Sequence, residues 1–224
     1  FFYNDKLVVD KVIRFRPDLI AFSAITNLYM PIKKLARQFK KVLPNVPIIC
    51  GGIHPTSLPD ETIKEDCFDM ICLGEGEGAM EDLLQRMREK RPYKDVKNLW
   101  VKDATGHVHK NDKRPVIRPL ESLPRPDKSL FAKYGALTSR IMIMTTRGCP
   151  FACTFCVNNT LLAMHPHQKP IRKRSVDNII LLRSTAIPGT TRKLQEKYPN
   201  LRIVFNPEFL TEANFIEDFK KLNI

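Results

Sequence analysis

Val46-Pro-Ile-Ile-Cys-Gly-Gly52 decides the fold. It is a short continuous apolar run closed by two glycines, the pattern of a strand buried on both faces that ends in a tight turn. Working outward, residues 19–25 form a second run of this kind behind Arg16-Pro-Asp18, and residues 31–42 carry helical periodicity between the two. Downstream the plan repeats. Ser57 and Pro59 open a short helix through residue 64, residues 70–73 read as a strand, and residues 79–88 read as an amphipathic helix with Met80, Leu83, Leu84 and Met87 inward. Three successive βα units predict an α/β domain with a parallel sheet. A helix-like stretch at residues 6–15 precedes the first strand, so this domain, residues 1–98, is expected to be partial.

Asp103-Ala-Thr-Gly106 between alternating apolar arms predicts a hairpin. Pro115, Pro119, Pro124 and Pro126 then suit an extended linker, and residues 99–139 form the expected boundary segment. A further strand at residues 140–146 runs directly into Arg147-Gly-Cys-Pro-Phe-Ala-Cys-Thr-Phe-Cys156.

The composition of 43% hydrophobic and 27% charged residues is that of a globular chain, and 224 residues can bury a core without disulfide staples. The longest apolar runs fall far short of the roughly 20 residues that cross a bilayer. Without a basic and apolar leader at Phe1-Phe-Tyr-Asn-Asp5, the expectation is a cytoplasmic protein. The net charge of +13 raises the question of nucleic acid. However, Lys33, Arg37, Lys40 and Lys41 lie at helical spacing opposite Ile32, Leu35, Ala36 and Phe39, as on a solvated helix face, and no nucleic-acid motif accompanies them.

The six cysteines fall into two patterns. Cys50, Cys67 and Cys72 are scattered among apolar residues and read as buried thiols. Cys149, Cys153 and Cys156 crowd into one C-x3-C-x2-C loop, which reads as metal ligation. Two centres compete for them. Zinc would take a fourth ligand, and His165 and His167 follow closely; an iron-sulfur cluster held by three cysteines would leave one iron open. Spacing alone leaves the two comparable. The loop's exit from the end of a strand, and Phe155 before the last cysteine, favour the cluster.

Thr146-Arg-Gly-Cys-Pro-Phe-Ala-Cys-Thr-Phe-Cys156 resembles the signature of radical S-adenosylmethionine enzymes. Phe22-Ser-Ala-Ile-Thr26, Gly51-Gly-Ile-His-Pro-Thr56, Gly74-Glu-Gly-Glu77 and the Leu-Pro-Arg-Pro-Asp ending at Asp127 are similar to the cobalamin-binding domain and linker of the cobalamin-dependent subgroup. The resemblance covers about residues 1–178. It implies a flavodoxin-like domain followed by the start of a partial TIM barrel at residues 140–178, with Arg174-Ser-Val-Asp177 opening the barrel's first helix. It also implies that Cys149, Cys153 and Cys156 hold a 4Fe-4S cluster whose open iron chelates S-adenosylmethionine. Phe155 would pack near the adenine. One-electron reduction would cleave the sulfonium to a deoxyadenosyl radical or, with cobalamin, allow methyl transfer. Ser23, Thr26, Gly51 and Gly52 would lie where the cobalamin tail is accepted, although an ordinary turn explains the two glycines equally well. A small-molecule substrate and an electron donor such as flavodoxin or ferredoxin are the implied partners.

The sequence departs from that pattern in three places. The D-x-H-x-x-G motif that carries a lower axial His is absent, and His54 does not stand in it. Gly74-Glu-Gly-Glu-Gly-Ala79 fits a dinucleotide fingerprint, but Glu75 and Glu77 would face a pyrophosphate with negative charge. The chain beyond Cys156 holds about two βα units at roughly 30 residues each, too few to close a barrel. Residues 179–224, a short α/β tail, resemble a nucleotide-sugar dehydrogenase of the UDP-glucose type. That resemblance places Thr185, Glu208 and Glu212 at an active site, whereas the residues by themselves read the glutamates as a surface pair. The leading expectation is a truncated radical S-adenosylmethionine protein. The alternatives are a zinc-binding interaction module with a basic surface and an inactive dehydrogenase fragment.

Overall fold

A computed structural model describes residues 5–124, 127, 144–151, 153–166, 171–174, 180–182, 190–199 and 203–205. Helix α1 (Asp5–Phe15) leads to β1 (Ile20–Ser23), α2 (Thr26–Val42), β2 (Ile48–Gly51), the short helices α3 (Ile53–Ser57) and α4 (Pro59–Lys64), β3 (Met70–Cys72) and α5 (Glu77–Arg88). Strands β1, β2 and β3 are parallel, with Ile20 opposite Ile48 and Ile49 opposite Met70. The hairpin follows as β4 (Leu99–Lys102) and β5 (Val108–Lys110). Rather than standing between domains, it extends the sheet in the order β1-β2-β3-β4-β5, with β4 antiparallel to β3.

Alternation along β2 explains why its sequence is apolar throughout. Ile48 and Cys50 join Phe39, Phe68 and Ile71 in one core, while Ile49 joins Met70, Cys72, Ala79, Leu83 and Leu99 in another. The sheet therefore has no wet face at its centre, and each fully buried side chain of this size contributes about 1.5–3 kcal/mol.

Helix α2 begins at Thr26, five residues before the expected start, with Pro31 inside it. Pro31 lacks only the N–H that would reach the carbonyl one turn back, and burial of Tyr29, Leu35, Ala36 and Phe39 outweighs that loss. Its basic face is not simply solvated. Lys33 and Arg37 each lie 2.9 Å from Glu65, Arg37 also binds Asp66 at 3.0 Å, and Lys40 binds Asp69 at 2.7 Å. The acidic turn before β3 thus neutralises most of the stripe that raised the question of an anionic partner. On α5, Ala79 and Leu83 are buried but Leu84, expected inward, is half exposed, because the face that meets the sheet runs along the i, i+4 row.

The hairpin turn forms as its sequence predicts. Gly106 adopts a φ of +85°, and Asp103 Oδ1 accepts from Thr105 N at 2.9 Å, Thr105 Oγ1 at 2.6 Å and His107 N at 3.1 Å.

Two compact units divide the chain, Phe1–Arg118 with Arg147–Arg172, and Pro119–Thr146 with Lys173–Ile224. The first carries the five-stranded sheet, the cysteine loop and helix α6 (Asn158–Ala163). In the second, β8 (Ile180–Leu182) pairs in parallel with β9 (Ile203–Phe205), and α7 (Thr190–Lys197) lies between them in sequence. The short strands β6 (Thr146–Arg147) and β7 (Arg172–Lys173) pair with each other at the junctions of the two segments. His167, Thr185, Glu208, Glu212, most of the strand expected at 140–146 and most of the helix expected from Arg174 lie outside the described residues. Among those described, no helix is long and apolar enough to cross a membrane.

Candidate functional site

The carboxyl edge of the parallel sheet is where ligands settle in folds of this kind. Here β1 ends at Ser23 and β2 at Gly51, and their loops are tied together: Ala24 N donates to Gly51 O at 2.8 Å and His54 N to Ala24 O at 3.0 Å. Gly52 has a φ of +96°, and a Cβ there would lie 2.8 Å from both the N and the O of Ala24. The fold itself requires glycine at that position. Gly51 is different, since a Cβ there would meet Cys72 Cβ at 3.5 Å, an ordinary contact.

Ser23 and Thr26 are exposed at this edge, beside the partly exposed Ile25. Beneath them, the buried Thr56 hydroxyl donates to Gly52 O at 2.6 Å and accepts from Gly74 N at 3.0 Å, joining the loops after β2 and β3. His54 is buried and stacked on Tyr29 with centroids 3.7 Å apart, and its Nδ1 lies 3.4 Å from Thr26 Oγ1. Burial lowers its pKa, so the ring is a neutral packing element. The edge therefore offers the hydroxyls of Ser23 and Thr26, the latter beside His54 Nδ1, and an apolar side chain on a firmly tied backbone.

The cysteine loop leaves β6 through Gly148, whose φ is +88°. Cys149 and Cys156 are half-buried and Cys153 is exposed. Helix α6 secures the loop from behind. The buried Asn158 donates through Nδ2 to Cys149 O at 3.3 Å, its backbone N–H faces Cys156 Sγ at 3.5 Å, and Asn159 Nδ2 binds Cys153 O at 2.8 Å. Phe155 is 92% exposed. No three metal-ligating side chains converge among the described residues, so neither a closed cysteine triad nor a zinc set including His165 is assembled.

The donor chemistry nonetheless fits a thiolate-held cluster. Three free thiols stand at the surface of a loop with pinned carbonyls, and an N–H is already directed at one sulfur. By contrast, burial pushes the Cys50 thiol up to about 12 and those of Cys67 and Cys72 to about 11, which keeps them protonated and inert.

The sequence reading missed the role of Glu75. Its carboxylate accepts from Ile117 N at 2.7 Å, Arg147 Nη1 at 2.7 Å and Arg172 Nη1 at 2.8 Å. Arg147 also pairs with Glu77. Burial works to raise the Glu75 carboxyl, but the Ile117 N–H and the two guanidiniums outweigh it and hold the group below its ordinary range. The glutamates that argued against a pyrophosphate are thus occupied by arginines. Asn98 supports the same loop: buried, with a φ of +72°, it donates through Nδ2 to Glu75 O at 2.8 Å and accepts from Arg114 N. The available signal was the pairing of Gly-Glu-Gly-Glu with Arg-Gly-Cys, two charged motifs each flanked by glycine.

Residues 2–84 match the family described as B12 binding domain. An uncharacterized methyltransferase of Pyrococcus horikoshii is 31% identical over 177 residues, 77% of this chain and 37% of that protein. The anaerobic magnesium-protoporphyrin IX monomethyl ester cyclase of Rubrivivax gelatinosus is 29% identical over 68% of this chain and 29% of its own length. The cobalamin-dependent radical SAM methyltransferase TokK of Streptomyces tokunonensis is 28% identical over 62% of this chain and 22% of its own length. Among solved structures, the cobalamin-dependent S-adenosylmethionine radical enzyme OxsB, with aqua-cobalamin and S-adenosylmethionine bound, superposes with a TM-score of 0.61 at 16% identity over 99% of this chain and 31% of that one. The radical S-adenosylmethionine methyltransferase TsrM of Kitasatospora setae gives 0.55 at 14% identity, over 92% and 39%. The two superpositions show the fold. The chain spans about a third of the length of the curated relatives it matches.

Proposed function

We infer that this chain shares the cofactor chemistry of relatives such as the cobalamin-dependent radical SAM methyltransferase TokK, on the flavodoxin-like fold of a B12-binding domain. We propose that the chain is the part of such a methyltransferase that holds cobalamin at the carboxyl edge of its sheet and a 4Fe-4S cluster at Cys149, Cys153 and Cys156. The observation that carries this reading is the Glu75 network. It ties the start of the cysteine loop, through Arg147, to the loop after β3, inside the same compact unit that carries the B12-binding match.

The roles of the chain's own groups follow from their chemistry. The three thiols lose their protons on ligation, and the N–H of Asn158 beside Cys156 Sγ stabilises the sulfur charge. The exposed ring of Phe155 offers a flat apolar face to an adenine. Ser23 and Thr26 offer hydroxyl donors to the polar tail of cobalamin, and Gly51 lets that tail approach the backbone. When bound, the cluster and S-adenosylmethionine supply one-electron cleavage of the sulfonium, and cobalamin supplies a transferable methyl group. A small flavodoxin or ferredoxin is the proposed electron donor, and a reducing cytoplasm suits six free cysteines.

Anaerobic reconstitution with iron and sulfide tests the cluster. The wild-type chain is expected to take up about four irons and to absorb broadly in the visible, bleaching with dithionite. Cys153→Ala is expected to lose that iron. Stoichiometric zinc without colour in the wild-type chain, or unchanged iron in the variant, would overturn the assignment.

A further inference from the structure

The segment Arg147–Arg172, which carries the whole cysteine loop and α6, meets a single carboxylate at both of its ends. Arg147 Nη1 lies 2.7 Å from Glu75 Oε1, and Arg172 Nη1 lies 2.8 Å from the same oxygen and 2.9 Å from Oε2. The remaining capacity of Oε2 is taken by Ile117 N at 2.7 Å, and Arg172 Nη1 reaches on to Ile117 O at 3.0 Å. Three separate stretches of chain therefore converge on Glu75, which is itself fixed by the end of β3 and by Asn98 Nδ2 on its carbonyl.

This pairing is not an ordinary surface ion pair. Relative exposure is 19% for the Glu75 side chain, 24% for Arg147 and 11% for Arg172. In such partial burial, removing the shared anion leaves two guanidiniums facing each other with Glu77, on Arg147, offsetting one of them. What else then joins the two ends of the segment is the short pairing of β6 with β7, two residues long each.

We infer that Glu75 is a positioning residue for the cysteine loop, a clasp that closes the segment Arg147–Arg172 and fixes Cys149 through Arg147. The inference rests on the proposed cluster at the triad for its functional meaning, but the clasp itself is a property of the cluster-free chain. Arg147 stands two residues before Cys149 with only Gly148 between them, so the position of its guanidinium sets where the first ligand emerges. Glu77, bound to the other nitrogen of Arg147, fixes the plane of the fork.

Limited trypsin digestion of the chain before any cluster is loaded tests the clasp, read at the bonds after Arg147 and Arg172 and, as control, after Lys94. Glu75→Gln is expected to speed cleavage at the first two bonds at least tenfold and to leave the third unchanged. Arg147→Lys, which keeps the charge but loses the fork, is expected to do the same at residue 147 and serves if Glu75→Gln does not fold by circular dichroism. Glu75→Asp is expected to restore part of the protection.

After reconstitution, Glu75→Gln is expected to hold several-fold less iron, with a broadened reduced-cluster EPR signal, while its affinity for hydroxocobalamin stays at the wild-type value. Unchanged cleavage at both bonds overturns the clasp, whatever the iron content. Faster cleavage with wild-type iron and EPR overturns the positioning role. A wild-type chain that takes up no iron overturns the proposed cluster instead, and the digestion still decides the clasp.

Discussion

A Cβ at Gly52 would stand 2.8 Å from two backbone atoms of Ala24, on a residue whose φ is +96°, whereas at Gly51 it would make only a van der Waals contact with Cys72. Gly52→Ala is therefore expected to destabilise the fold by about 2 kcal/mol or more, and Gly51→Ala by less than about 1 kcal/mol. Urea denaturation of the two variants checks this contrast, and equal midpoints would contradict the close approach of the β1 and β2 loops. The sequence offers the glycine pair equally as a turn and as a ligand approach, and which of the two glycines the fold requires depends on a neighbour that is adjacent in space and not in the chain. The cysteines were more legible. Spacing separates the loop triad from Cys50, Cys67 and Cys72, and burial confirms the second group as inert thiols. The anchoring role of Glu75 was hidden because its partners lie 42, 72 and 97 residues away.

Among the elements, the loops after β2 and β3 share one hydroxyl. Thr56→Val keeps the shape but leaves Gly74 N and Gly52 O without their partner, at about 1–3 kcal/mol. Amide hydrogen exchange at Gly74 is expected to accelerate in the variant, and unchanged protection there would contradict the bridge.

The hairpin supplies a pH-dependent case. Thr105, His107 and His109 donate to the Asp103 carboxylate and hold its pKa well below the ordinary value. A depressed carboxylate stabilises the fold above its unfolded pKa near 3.9, and that contribution is lost as pH falls below it toward the folded value. Thermal melts from pH 6 to pH 2.5 are expected to show a smaller acid loss in Asp103→Asn than in the wild type, and parallel curves would contradict the role of this turn.

The hairpin was readable from Asp103-Ala-Thr-Gly106, and the parallel strands from their apolar runs. That β4 would extend the sheet beside β3 was not, because Leu99 and Val101 alternate as they would in any two-stranded ribbon facing a core. The early start of α2 was not legible because proline ordinarily stands in the first turn of a helix, and here Pro31 sits inside one.

At the scale of the molecule, the first compact unit joins a sheet whose parallel strands match a B12 binding domain to a cysteine loop that arrives from beyond residue 118, and Glu75 lies where they meet. Local patterning foretold both parts, but their union depends on long-range ion pairs that no periodicity reports. The central claim, that this unit holds cobalamin and a cluster together, is tested most directly by iron and cobalt analysis of one sample. That sample is reconstituted anaerobically with iron, sulfide and hydroxocobalamin and then passed through gel filtration. The account predicts about four irons and about one cobalt per chain co-eluting with the folded protein, with only the iron lost in Cys153→Ala. Iron without cobalt would contradict the sheet edge as a cobalamin site, and cobalt without iron would contradict the cysteine loop as a cluster site.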